Sequence, residues 1–291
     1  MLAGMRFLFA ADGSAGSQVA LEFLCALPLS NADHVTVLTV PVYSFTGTTV
    51  GAAAPDLLRD RGANAARSIA EAARVQLAAQ GAPVRVDVRS GDVADAVQSA
   101  ALADAADLAV IGSRGLGAFA GTILGSVARS LARHVSMNVL VVRERRAAPD
   151  RVLVVIDGSQ EAWSAVKLVA RLPLPARAPI TLLELPTGAN ECSWPVLDEA
   201  KTLLATHPIE LRTAEPGHIA DRILTGARAM AADLVVLGSR GMTVGSGMLQ
   251  GSVADQVLSQ AHCAVLLAKA VAKPRLVVAP SPALARQFAG F

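Results

Sequence analysis

Leu108-Ala109-Val110-Ile111-Gly112-Ser113-Arg114-Gly115, then nine further residues, then Gly125-Ser126, is the stretch that decides the fold. The apolar run 108–111 predicts a strand, and Val127, Leu131 and Val135 recur at i, i+4 and i+8, the spacing of a helix face. A glycine loop lies between them. Gly112 and Gly115 are expected to permit positive φ and close backbone approach where the chain leaves the strand. Gly125-Ser126 is expected to present bare amide N–H groups and a hydroxyl at a helix start, where orphan donors and the helix dipole favour an anion.

The arrangement returns at Gly238-Ser239-Arg240-Gly241, nine spacer residues, and Gly251-Ser252. It again follows an apolar run (234–237) and precedes a helical pattern (Val253, Val257). One glycine loop is weak evidence; two copies with the same spacing and flanks point to a duplicated phosphate-binding unit. Upstream, Asp12-Gly13-Ser14 has its counterpart in Asp157-Gly158-Ser159. Together these motifs resemble the universal stress protein family in its tandem two-domain form, over residues 4–271.

That resemblance implies an α/β fold of two tandem doubly wound, Rossmann-like domains. Each would hold a five-stranded parallel sheet in the order 3-2-1-4-5, with ligands at the point where the order reverses. It also implies an adenine nucleotide, ATP, with Mg²⁺ accompanying the phosphates. Asp12 then stands for the adenine or ribose contact and the Val40 backbone for the adenine-edge contact, with Asp157 and Leu185 as their counterparts. The phosphates would fall to Gly112, Arg114, Gly115, Gly125 and Ser126, and to Gly238, Arg240, Gly241, Gly251 and Ser252. Plainer roles exist for several of these residues. Asp before Gly is a common turn carboxylate; Arg114 and Arg240 serve equally as solvated loop charges; Ser126 and Ser252 as helix-start residues; and the Val40 side chain as core.

Read in order, the chain alternates strand and helix, which by itself argues for a parallel sheet covered on both faces. Residues 6–11 predict a strand, followed by a helix bearing Val19, Phe23, Leu24 and Leu27 and capped by Ser14 or Ser17. Val35–Val40 is a β-branched strand ended by Pro41, and 42–54 a Gly/Thr/Ala loop. A helix over 55–80, a strand at Val84–Val88, a helix capped by Asp92 and a last strand at 139–142 complete the unit. After a polar linker, 143–150, the pattern restarts at Val152. Domains are thus expected at 1–146 and 150–271, with a tail at 272–291 in which Leu276-Val277-Val278 could add an edge strand. Asp12 and Asp157 are offset by 145 but Gly112 and Gly238 by 126, so the second unit has lost 19 residues. All are expected between its second and third strands, leaving a short loop, 186–194, and a helix over 195–206.

Composition narrows the function. The 291 residues suffice for about two domains. A net charge of +2 with interspersed signs, and 3% aromatic residues, argue against nucleic acid. Cys25, Cys192 and Cys263 have no metal or C-x-x-C spacing and read as small apolar residues in a reducing cytoplasm. No signal pattern opens the chain. The uncharged window 35–55 contains prolines, glycines and five threonines, the mark of strand and loop rather than a membrane span. A Walker lysine, a G-x-S-x-G elbow and grouped histidines are all missing. The leading expectation is therefore a nucleotide-binding stress-response module, non-catalytic or barely hydrolytic, that meets a protein partner in a nucleotide-dependent way. A slow ATPase or nucleotidyl transferase, and a partner-binding module without nucleotide, are the alternatives. The fifth strands, 139–142 and 264–267, could pair within one chain as a pseudo-dimer, or between chains as a homodimer.

Overall fold

Short apolar runs supply most of the ten strands described in the computed structural model. It describes residues 4–41, 54–116, 124–134, 137–143, 148–185, 194–239 and 252–269. The first half runs β1 (Arg6–Ala10), α1 (Ala15–Ala26), β2 (His34–Thr39), α2 (Ala54–Ala78), β3 (Val84–Val88), α3 (Val93–Ala103), β4 (Leu108–Gly112), α4 (Ser126–His134) and β5 (Asn138–Val142). The second half repeats it: β6 (Val152–Ile156), α5 (Gln160–Val169), β7 (Ile180–Glu184), α6 (Trp194–Leu203), β8 (Ile209–Thr213), α7 (Ile219–Ala229), β9 (Leu234–Gly238), α8 (Ser252–Gln260) and β10 (Ala264–Ala268). The tail 272–291, its candidate edge strand and Cys192 lie outside the described residues.

The strands join in one sheet, ordered β3-β2-β1-β4-β5-β10-β9-β6-β7-β8, so each half has the expected order 3-2-1-4-5. All pairs are parallel except the central one, where β5 and β10 run antiparallel with Leu140 opposite Leu266. The interior strands β6, β9 and β10 are buried at every position, as sheets covered on both faces require. The edge strands β3 and β8 instead carry charged residues: Arg85, Asp87, Glu210 and Arg212.

One face of the sheet packs α1, α2, α5 and α6 over Phe7, Phe9, Val154 and Leu182. The other packs α3, α4, α7 and α8 over Leu8, Ile111, Val155 and Leu237. Both cores draw side chains from both halves. Cys263 belongs to the second, while Cys25 is only half-buried; burial, and then Glu22, push its thiol up from the ordinary range.

The helices begin where the sequence signals them. The Ser14 hydroxyl accepts the Ser17 N–H at 3.1 Å, which makes Ser14 rather than Ser17 the cap of α1. The Asp92 carboxylate accepts the Ala94 and Asp95 N–H groups, and Ser159 caps α5 through the Ala162 N–H. Strand register refines the deletion. Val35 pairs with Val84 and its counterpart Ile180 with Ile209, so the offset falls from 145 to 125 between the second and third strands. Twenty residues are lost there, not nineteen. One is regained before α7, at the turn where Gly217 takes φ +150. Most of the loss is helix, since α2 has 25 residues and α6 has 10.

Candidate functional site

β1 has β2 on one side and β4 on the other, so the sheet order reverses beside it. A cleft of about 430 Å³ opens there, beyond the carboxyl ends of β1, β2 and β4. That lies within the range of about 300–1,000 Å³ usual for small-molecule sites. Asp12, Val40, Gly112, Gly115, Gly125 and Ser126 all line it, so six residues singled out from sequence meet in one place.

Its walls are mostly apolar. Leu38, Ile111, Val93 and Val97 form one side, and Leu116 and Val127 complete the rim. The β1–β2 ladder ends where the Ala11 N–H donates to the Leu38 carbonyl at 2.8 Å, and the Thr39 carbonyl is taken by the Arg89 N–H at 3.0 Å. Val40 is the first residue past that ladder, half-buried at the cleft wall. Backbone at such a position can offer both a donor and an acceptor to the edge of a flat ring.

The opposite end is polar. The Arg129 N–H donates to the Gly125 carbonyl at 3.1 Å, which makes Gly125 the cap residue of α4. The N–H groups of Ser126, Val127 and Ala128 therefore find no carbonyl within the helix, and they stand where the dipole favours an anion. The Gly125 N–H is not bare as expected. It donates to the Ser113 carbonyl at 2.8 Å and pins the helix start to the strand exit.

Asp12 joins the two ends. One carboxylate oxygen accepts the Ser14 N–H at 2.9 Å, and the other accepts the Leu116 N–H at 3.0 Å, holding the glycine loop against the turn after β1. The Asp12 N–H donates to the buried Ser17 hydroxyl at 3.3 Å, and the Ser14 hydroxyl to the Arg114 carbonyl at 3.2 Å. The Arg114 side chain is exposed and does not line the cleft; its carbonyl is what ties the loop to α1.

The glycines serve close approach rather than positive φ, and this corrects the sequence reading. Neither Gly112 nor Gly115 has a left-handed backbone. A Cβ on Gly115 would stand 2.5 Å from the Asp12 carboxylate, and one on Gly112 would enter the Gly16 backbone. Left-handed φ falls instead on Gly13 and Gly158, both at +77, in the turns after β1 and β6.

Sequence reasoning missed Gly16, Ser17, Val93 and Val97 as site residues. Gly16 carried a signal: glycine in the first turn of a helix has poor propensity, and here it admits the Arg114 carbonyl where a Cβ would collide. In the second half, Asp157 accepts the Ser159 N–H at 3.0 Å, Gly238 ends β9, and Leu185 is buried. Ser252 opens α8. Arg240, Gly241 and Gly251 lie outside the described residues.

Among known proteins, the model of the Universal stress protein family matches residues 5–143 and 186–269. A universal stress protein of Mycobacterium tuberculosis is 33% identical over 186 residues, which cover 56% of this chain and 62% of the relative. The match thus spans less than two thirds of that protein. A universal stress protein of Archaeoglobus fulgidus is similar in structure, with a TM-score of 0.69 at 20% identity over 91% of this chain and 98% of that one. A putative universal stress protein of Pseudomonas aeruginosa reaches 0.54 at 16% identity over 92% and 94%. These two likenesses concern the fold.

Proposed function

The chain belongs to the universal stress protein family, and from that premise we propose that the first-half cleft binds ATP and that the bound nucleotide governs how the protein meets a protein partner. The observation that carries the reading is the shape of the cleft's chemistry. Apolar walls with unladdered backbone at Val40 suit a flat base, and the first turn of α4, some way along the same groove, suits phosphates. Asp12 stands between them. Mg²⁺ would travel with the phosphates, because no group of three His, Cys, Asp or Glu side chains gathers among the described residues.

Binding rather than turnover fits the cleft. Among the described residues its lining includes neither lysine nor histidine, and the one carboxylate among them, Asp12, already accepts two amide N–H groups. A nucleotide seated against the start of α4 would change the exposed rim at Leu116, which is 62% exposed. No described helix is long and apolar enough to cross a membrane.

Calorimetric titration with ATP tests the proposal. The protein should bind, and Gly115→Val should weaken binding by about tenfold or more, equivalent to about 1.4 kcal/mol, while the far-ultraviolet dichroism stays unchanged. The branched side chain would push Asp12 off the loop and stand in the phosphate path. Wild-type protein that takes up no ATP, or a Gly115→Val variant that binds as well as wild type, would overturn it.

A further inference from the structure

We infer that the crevice of the second half is filled by the chain's own side chains, so that each molecule takes one nucleotide, in the first half. The inference rests on the proposed function and adds its stoichiometry.

The sheet registers make the two crevices comparable position by position. β6 follows β1 and β7 follows β2 at an offset of 145, and α7 follows α3 at 126. Where the first cleft has Ala10 at the end of β1, the second half has Val155, larger by two carbons and on the same face of the sheet. Val40 becomes Leu185, Val93 becomes Ile219 and Val97 becomes Ile223, one carbon each. Five extra carbon atoms therefore enter on that face of the sheet. Val155 and Leu185 are each 2% exposed, whereas their counterparts Ala10 and Val40 remain partly open to the first cleft. Interiors pack with few voids, so a base could enter only by displacing these side chains.

Three further differences set the second half apart from the first. Gly16, which lets the Arg114 carbonyl approach α1, corresponds to Glu161, half-buried in the first turn of α5. A Cβ there stands where the Arg114 carbonyl comes in the first half, so the same approach is closed. Ser17, whose hydroxyl receives the Asp12 N–H, corresponds to Ala162. The covering helix has also withdrawn. A Cβ on Gly13 would meet Ile69 of α2 at 2.9 Å, but one on the equivalent Gly158 would meet nothing within 4 Å. α6 therefore leaves uncovered the turn that α2 covers.

Equilibrium dialysis of the intact chain with ATP, repeated on two variants, decides the matter. We expect one equivalent bound per wild-type chain, a large loss of that binding in Gly115→Val, and no change in Asp157→Ala. Two equivalents per chain would sink the inference while leaving the proposed function standing. A single equivalent that survives Gly115→Val and disappears in Asp157→Ala would also overturn it. No uptake by wild type would remove the proposed function and this inference with it.

Discussion

Asp12 accepts two hydrogen bonds of very different reach along the chain: from Ser14, two residues on, and from Leu116, 104 residues on. The first is the ordinary Asx turn of an Asp-Gly-Ser sequence. The second makes the carboxylate a clasp for the glycine loop, and it explains why Gly115 has no room for a side chain. A clasp and a direct base contact predict different losses. If the clasp shapes the phosphate loop, Asp12→Ala weakens binding of ATP and of inorganic triphosphate alike. The expected loss is about fivefold, equivalent to about 1 kcal/mol for one partly exposed charged hydrogen bond. If Asp12 touches only base or ribose, titration with triphosphate will show no change, and the clasp is then unimportant. The turn was legible in sequence because it is local. The Leu116 contact was not, since it depends on β4 lying beside β1, and no spacing in the chain records that.

At the scale of elements, α1 meets β4 and the loop after it through two glycines: Gly112 faces the Gly16 backbone, and Gly16 faces the Arg114 backbone. Helix propensity alone would make Gly16→Ala stabilising by up to about 1 kcal/mol. The close approach reverses the sign, because the new methyl would enter the Arg114 carbonyl. Calorimetric melting should therefore show a lower Tm for Gly16→Ala, and a rise would mean that α1 and the loop are not held this tightly. Gly125→Ala is the control. Its methyl would meet the Ser113 carbonyl at 3.4 Å, an ordinary contact, so its Tm should stay close to wild type. Most elements could be read beforehand: continuous apolar runs gave strands buried on both faces, and Ser14, Asp92 and Gly81 marked helix ends. What could not be read was which glycines need positive φ and which need room, since both look alike as letters. The offset count likewise merged a loss of twenty residues with a gain of one, because only strand pairing separates them.

Across the whole molecule, the antiparallel β5–β10 seam merges two halves into one sheet and buries Val139–Val142 almost completely. Its register is nearly self-complementary. At an offset of 126 Leu266 corresponds to Leu140, so Leu140 faces its own counterpart, and Val141 faces Val265, the counterpart of Val139. Residues 1–146 expressed alone should therefore form a two-fold homodimer through β5, since that edge would otherwise stay exposed. The polar contacts around the seam, however, are not symmetric. Lys269 spans it by donating its N–H to Asn138 at 2.9 Å and its ammonium to the Ala132 carbonyl at 2.8 Å, and Arg171 pairs with Asp107 at 2.9 Å. Arg133 of α4 pairs with Asp255 of α8, and the counterpart of Asp255 is Arg129. In a homodimer each Arg133 would thus face the other copy's Arg129, a like-charge contact made twice by symmetry. The full chain places a carboxylate there instead, which favours closure within one molecule over pairing between two. Light scattering of 1–146 should accordingly show a homodimer that tightens as salt is raised, because salt screens the repulsion. Arg129→Asp in the same fragment should tighten it at low salt and invert the salt dependence. A fragment that stays monomeric at micromolar concentration would argue against β5 as an adhesive edge. A dimer indifferent to both salt and Arg129→Asp would show that the Arg133–Asp255 pair has no part in choosing the partner.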